Sequence, residues 1–481
     1  MANDRVGEKL FEVEGVPVEL PDRAPAGVNK HFRHYDQSQS FLLPPSLDDW
    51  LPENHEARFI SDVIDSLLDL DCIYDSYTEA SGAPPYDPAM MLKLLLFAYS
   101  TGVTSSREME RRCHVDVAFR WLSANSAPDY RSISRFRRRH LSAIDLLFVQ
   151  VLALCAQAGL VRLGRVALDG TKLRASASKH KAMSYDRMGP RLQELEAQVA
   201  AMLAEAEAAD AAEDAEFGED KRGDELPPEL ATKEGRLAKL RAAKEAIEAE
   251  AKEKAAAKAE HKATERGASE QEARAAGEEA AAGATPKSRA QRNFTDPESR
   301  MMKTTDGFHY AFNAQAVVDE EAQVVVAHSV SNQATDVGHL MEMIEITQNT
   351  LGAADIDENP DTFIADAGYF SEQNVTDATD AGADVLIATG RLKHHERVPD
   401  APRGPLPRDA TVKEKMARRL RTKAGRADYA RRKAIVEPVF GQMKVRQRAG
   451  FLRLRGLEGA RGEWALHSLC HNLRKLARAG A

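Results

Sequence analysis

Apolar residues between positions 57 and 160 recur at helical spacing, as in Met90, Met91, Leu94, Leu95 and Ala98, with turn signals at Gly102 and Ala127-Pro128-Asp129. That pattern predicts an all-helical segment. Within it Ser105 stands as a capping residue before Ser106-Arg107-Glu108, and Ser132 to His140 forms a compact basic helix carrying Arg135, Arg137 and Arg138. The two helices read as a helix-turn-helix that sets these arginines on DNA, or as a packing domain with an arginine-rich face. Spacing alone leaves both open. The longest apolar stretch, Ala143 to Leu160, carries Asp145, Gln150 and Gln157, so it reads as a buried or amphipathic helix and no membrane span is expected.

From Val166 onward the pattern changes to strands. Phe308 to Val318 and Ala322 to Val330 are β-rich runs joined by Asp319-Glu320-Glu321 as a hairpin, and Thr362 to Ala365 and Val385 to Ala388 add two more, separated by the helical stretch Ser371 to Ala381. A mixed α/β core follows. Between its first strand and the hairpin lie roughly a hundred residues rich in Ala, Glu and Lys, which predict a helical hairpin or a partly disordered segment, with a turn near Gly218 to Pro228. The expected organisation is an extended arm over 1–56, a helical DNA-binding domain over 57–160, a catalytic core over 161–190 and 296–478, and an acidic helical insertion over 191–295.

At 481 residues and 43% hydrophobic the chain can bury a large core, spread over roughly two to four domains. Its formal charge of -9 speaks, taken alone, against a polyanionic partner. The charge is unevenly placed, however. Residues 191–280 hold 24 Asp and Glu against 14 Lys and Arg, a net of -10, while residues 403–478 hold 21 Lys and Arg against 6 acids, a net of +15. The second region reads as an electrostatic footprint for phosphates, the alternative being a merely solvated basic surface. Cys72, Cys113, Cys155 and Cys470 are scattered, with no C-x-x-C, which fits a reducing compartment. The polar amino terminus lacks the apolar core of a signal peptide, so a cytoplasmic, nucleoid-associated protein is expected.

Three acids stand out in this frame: Asp169 in Val-Ala-Leu-Asp-Gly-Thr, Asp366 in Phe-Ile-Ala-Asp-Ala-Gly-Tyr, and Glu437 in the basic carboxyl-terminal region. Each aspartate follows a short apolar run and precedes a glycine, which places a carboxylate at the end of a buried strand, where α/β sheets present their chemistry. Singly, either is an ordinary turn. Together they match what phosphodiester chemistry needs, because two Mg2+ ions ~3.5 to 4 Å apart activate a nucleophile and stabilise the leaving oxygen, and Mg2+ takes hard oxygen ligands. Mg2+, with Mn2+ as a substitute, is the expected cofactor. His467 and His471, with Cys470 between them, lack the glutamate of His-Glu-x-x-His and read as helix packing. No G-x-x-x-x-G-K-S/T supports an ATP-driven step, and Gly456, Gly459 and Gly462 read as a flexible loop.

The flanking residues extend the match beyond the acids. Leu168-Asp169-Gly170-Thr171-Lys172, then Ser178 to Tyr185, then Ile364-Ala365-Asp366-Ala367-Gly368-Tyr369 resemble bacterial insertion-sequence transposases of the DDE type. Tyr429, Arg432, Glu437 and Lys444 look like the Tyr-Arg-Glu-Lys signature of that superfamily, with Val436 to Lys444 the strongest local match. Glu463-Trp464 and His471-Asn472-Leu473 resemble its carboxyl end, and residues 86–140 its helical amino-terminal domain.

The resemblance implies a ribonuclease-H-like mixed sheet whose first and fourth strands lie side by side, bringing Asp169 and Asp366 together, with Glu437 arriving from a later helix. It also implies that Tyr429, Arg432 and Lys444 engage DNA near the cut. Two departures stand out. The signature spacing from arginine to glutamate is three residues, whereas four lie between Arg432 and Glu437, so Lys433 is a second candidate for that role. Pro438 follows the glutamate directly, so the helix either starts there or is kinked. Lys444 lies seven residues after Glu437, on one face if the helix continues. The implied partners are double-stranded DNA, as terminal inverted repeats and as target, and a second copy of the chain in the DNA complex. The alternatives are a metal-dependent nuclease that cuts without joining, and a catalytically silent DNA-binding regulator.

Overall fold

Eight helices precede the first strand among the described residues: α1 (Leu47–Trp50), α2 (Glu56–Ser66), α3 (Asp71–Tyr74), α4 (Pro88–Ser100), α5 (Ser106–Val115), α6 (Val117–Leu122), α7 (Tyr130–Arg139) and α8 (Leu141–Gln157). The computed structural model describes residues 46–78, 84–178, 181–217, 228–390, 399–402 and 404–479, with side chains described outside 202–232. Most of the expected arm, Lys179, His180 and the turn at 218–227 lie outside the described residues. Helix α4 is capped by Asp87, whose carboxylate accepts from the Met90 N–H at 2.9 Å, and has Pro88 in its first turn. It is buried on nearly every side, as a helix apolar all round must be. Asp129 caps α7 by accepting from the N–H groups of Arg131 and Ser132. Ser105 does precede α5, but its hydroxyl makes no capping bond.

The sheet comprises β1 (Arg165–Arg174), β4 (Arg300–Thr304), β5 (Gly307–Asp319), β6 (Val325–Ser331), β7 (Thr362–Ala365) and β8 (Val385–Ile387), and a separate two-stranded ribbon pairs β2 (Ala182–Ser184) with β3 (Gln291–Asn293). Strand β5 is long enough to pair β4 with its first residues and β6 with its later ones, both antiparallel. It also pairs β1 antiparallel, whereas β1, β7 and β8 are parallel. The order β6-β5-β1-β7-β8 is therefore mixed. Val166, Ala167 and Leu168 are wholly buried, as expected of a central strand covered on both faces.

The Ala/Glu/Lys-rich insertion is helical. It contains α9 (Tyr185–Phe217), α10 (Pro228–Glu265) and α11 (Glu270–Ala282). Met188, Leu192, Leu195 and Val199 recur at three- and four-residue spacing and meet Leu237, Leu240, Ala243 and Ile247 in a small core of their own. Its base is tied to the sheet: Glu250 on α10 pairs with Arg292 on β3 and Arg300 on β4, each at 3.0 Å.

Among the described residues five α-helices follow β6: α12 (Leu340–Ala353), α13 (Glu372–Asp380), α14 (Val412–Arg421), α15 (Lys423–Arg446) and α16 (Gly456–Ala479). One continuous apolar core joins the amino-terminal helices to the sheet, with Leu94, Val151, Val317 and Leu466 all in it. Helix α16 fastens the two. Trp464 Nε1 donates to the Gln315 carbonyl at 2.9 Å, and the Asn472 amide exchanges two bonds with the Val325 backbone, at 2.9 and 2.8 Å. The expected loop at Gly456, Gly459 and Gly462 is instead the first turns of this helix. A Cβ at Gly462 would stand 2.6 Å from Leu141, so the glycine is there for close packing. His467 and His471 are buried, and burial pulls them down to about 3 and about 4, so both are neutral packing residues, with Cys470 donating to the Leu96 carbonyl.

Helix α15 runs through Pro438 without starting there. A proline has no N–H for the carbonyl four residues back, here that of Ala434. The Gln323 side chain, in the turn between β5 and β6, supplies the missing donor, its Nε2 lying 3.0 Å from that oxygen. Among the described residues no single helix is long and apolar enough to cross a membrane.

Candidate active site

The parallel register of β1 and β7 ends with Leu168 opposite Ala365, and the next residue on each strand is an aspartate. Adjacent strands lie ~4.8 Å apart, so the two aspartates stand side by side: Asp366 just past the end of β7, but Asp169 within β1, which runs on to Arg174 along β5 and does not end at the acid as the sequence pattern suggested. Asp366 Oδ1 accepts from the Gly368 N–H at 2.7 Å, which turns the chain sharply after the strand. Asp169 Oδ1 accepts from the Gly170 N–H at 2.8 Å, and Oδ2 pairs with Arg432 Nη1 at 2.8 Å. Burial, with the like charge of Asp366, raises the Asp169 carboxyl above the ordinary range, although Arg432 opposes this. Two neighbouring carboxylates in a partly desolvated opening favour a cation between them.

Helix α15 crosses this opening. Arg432 faces Asp169, and Tyr429 stands close enough that the charges of Asp366 and Asp169 act on its phenol, whose ionisation burial already opposes. Burial lowers the Lys444 ammonium below its ordinary range, and the charges of Asp169 and Asp306 only partly oppose this. Lys433 and Glu437 are exposed. At 100° per residue Glu437 sits about 140° around the helix from Arg432, so it points away while the arginine points in. Among the described residues no three His, Cys, Asp or Glu side chains stand together as a ready metal cage. The oxygen-only pair of aspartates suits a hard divalent ion. In this conformation, though, a guanidinium occupies one of its oxygens.

Five further residues complete the opening: Tyr369 and Lys172, which belong to the quoted motifs, and Asn313, Gln315 and Asp336, which the sequence pattern passed over. Tyr369 is fully buried and its hydroxyl donates to Gln315 Oε1. Burial and the charges of Asp336, Asp169 and Asp366 raise that phenol well above its usual value. Asp336 Oδ1 in turn accepts from Gln315 Nε2 at 3.1 Å, Asn313 Nδ2 at 2.7 Å and Lys172 Nζ at 3.0 Å. Asp336 ends the polar run Ser331-Asn332-Gln333-Ala334-Thr335-Asp336 just past β6, with neither an apolar run nor a turn glycine before it to flag it.

The arginines of α7 divide. Arg135 and Arg138 are exposed, but Arg137, expected on the same DNA-facing surface, is 5% exposed and donates to the Tyr99 hydroxyl and the Thr104 carbonyl at 2.7 and 2.9 Å. The reason is helical phase: Arg137 lies about 40° from Ile133, on the buried face. Tyr130, at the start of α7, is flanked by the guanidinium groups of Arg107 and Arg131 at 5.0 and 5.6 Å from its ring.

The family model described as a transposase domain (DUF772) matches residues 45–139, and that described as a transposase DDE domain matches residues 284–473. The chain belongs to the insertion-sequence DDE transposases. Asp366, Tyr429, Arg432, Glu437 and Lys444 of the transposase fall within the second match, while Asp169 and most of the insertion fall in neither. No curated protein and no solved structure matches the transposase.

Proposed function

We propose that this transposase binds the terminal inverted repeats of its own element as a homodimer, cuts DNA at their ends and joins the freed ends to target DNA, acting in the cytoplasm on nucleoid DNA. The carrying observation is the β1–β7 register, whose last pair, Leu168 and Ala365, is followed in each case by an aspartate, so that Asp169 within β1 and Asp366 just past β7 are neighbours. The strand order, with β6, β5 and β1 antiparallel and β7 and β8 parallel to β1, supports a ribonuclease-H-like core. Asp169 and Asp366 would hold Mg2+ or Mn2+, with Glu437 on α15 as the third ligand once Arg432 releases Asp169. The metal, when bound, supplies an activated water and neutralises charge on the leaving oxygen.

The remaining residues bind and orient. Tyr429, Arg432, Lys433 and Lys444 line the same helix and engage the DNA backbone beside the cut, and Arg135 and Arg138 on α7 hold the duplex farther away. Two copies of the chain give each end of an element its own site. The test uses purified protein, labelled end DNA, Mg2+ or Mn2+, and a target plasmid. Cleaved ends and joined product are expected from the wild type. Asp169→Asn and Asp366→Asn should each lose both activities below detection while retaining end binding. Normal cleavage by either variant removes that residue from the site. Cutting without joining would make the protein a nuclease, and binding without cutting a silent regulator.

A further inference from the structure

We propose that Asp336 is a positioning residue for this centre: it fixes the gap between the middle of β1, which carries Asp169, and the turn after β7, which carries Asp366, and so sets the affinity of the site for a divalent cation. The inference rests on those two aspartates being the metal ligands. Asp336 is well placed for the task, because its Oδ1 gathers donors from both central strands, Lys172 on β1 and Asn313 and Gln315 on β5. Burial works to raise its carboxyl, but the bonds from Asn313, Lys172 and Gln315 outweigh this and hold it below its usual range, as an anion. With three donors, one of them an ammonium, Oδ1 has no capacity left for a metal. Asp336 therefore acts through its neighbours.

Both glycines beside the aspartates are shaped by this cluster. A Cβ at Gly170 would stand 2.7 Å from Gln315 Nε2 and 3.0 Å from Asp336 Oδ1. A Cβ at Gly368 would stand 2.9 Å from Asp366 Oδ1 and 3.5 Å from Asp336 Oδ2. The Asp336 carboxylate thus crowds the Gly170 position together with Gln315 and lies within van der Waals reach of the Gly368 position, so it touches both ligand-bearing segments. Asn313 Oδ1, on the far side of the same amide, is buried and finds no hydrogen-bond partner among the described residues.

Groups that orient metal ligands without touching the metal typically alter affinity by roughly 10- to 100-fold when removed. Asp336→Asn keeps the shape but removes the charge facing Lys172 and presents an amide N–H to groups that are themselves donors. Mn2+ binding to the full-length protein by calorimetry should weaken by about 10- to 100-fold, end-DNA binding should hold, and lost cleavage should return as Mn2+ is raised. Asp169→Asn should not recover at any Mn2+ concentration. Should Asp336→Asn fail to fold, Lys172→Met, which removes one of the three donors, should still weaken Mn2+ binding by a few-fold. Wild-type Mn2+ affinity in a folded variant overturns the proposal, as does a cleavage defect that no Mn2+ concentration relieves. A wild-type protein that neither binds Mn2+ nor cuts would instead bring down the underlying metal reading, and this inference with it.

Discussion

Helices α7 and α15 are both strongly basic, and each turns one arginine inward toward a carboxylate, yet the two arrangements differ in what they leave open. Arg137 on α7 bonds Tyr99, whose hydroxyl donates to Glu463 Oε1 at 2.9 Å, while Glu463 Oε2 accepts from the N–H groups of Arg453 and Leu454 at 2.7 and 2.9 Å. Glu463 is 0% exposed and both its oxygens are engaged. The carboxylate end of that network is closed to solvent, although Arg137 Nε finds no partner among the described residues. Arg432 on α15 meets Asp169 directly, but the Asp169 side chain is 20% exposed and shares its opening with Asp366. A closed buried network specifies a fold, whereas a carboxylate pair that solvent can reach keeps room for a ligand.

The contrast can be broken from either side, and the largest effect is expected at the closed network. Glu463→Ala leaves Arg137 buried without its counter-charge, so unfolding in urea should show a loss of about 3 to 5 kcal/mol. A loss under about 1 kcal/mol would mean that the network contributes little to the fold. Next comes the open pair. Arg432→Ala should leave stability nearly intact while tightening Mn2+ binding in the absence of DNA by roughly tenfold, since a cation competing for Asp169 has gone. Unchanged Mn2+ affinity would show that the guanidinium and the metal do not compete. The smallest effect belongs to the outward arginines. Arg135→Ala combined with Arg138→Ala should shift stability by no more than about 0.5 kcal/mol. It should also lower the salt dependence of end binding by roughly one unit of slope for each phosphate no longer neutralised. An unaltered slope would place both residues on a merely solvated face.

The elements legible in the sequence are those whose pattern is set by local burial. Strand β7 covers the same four residues, Thr362 to Ala365, that the apolar run predicts, and β5 extends the expected Phe308 to Val318 by one residue at each end. The pairing of Asp169 with Asp366 was implied by the family resemblance, whereas the expected strand end holds for Asp366 and not for Asp169, which lies within β1. What stayed hidden depends on partners distant in the chain. In the run from Arg135 to Arg139 charge masks the helical phase that buries Arg137 with Ile133 and Phe136. Asp336 is defined by donors more than twenty residues away on β5 and over a hundred away on β1. Gly459 and Gly462 look like breakers until Leu454 and Leu141 are seen against them. Strand β4, Arg300-Met301-Met302-Lys303-Thr304, has only one β-branched residue and forms because β5 offers it an edge.

The glutamine that mends α15 at Pro438 reaches further than one hydrogen bond. Gln323 also accepts from Lys475 Nζ at 3.0 Å through its side chain and from His471 Nε2 at 2.9 Å through its carbonyl, so a single residue in a hairpin turn grips two helices. The turn of α15 next to Glu437 thus owes its integrity to an outside latch and not to its own backbone. Without that latch the Ala434 carbonyl, three residues before Glu437, would face Pro438 with no donor at all.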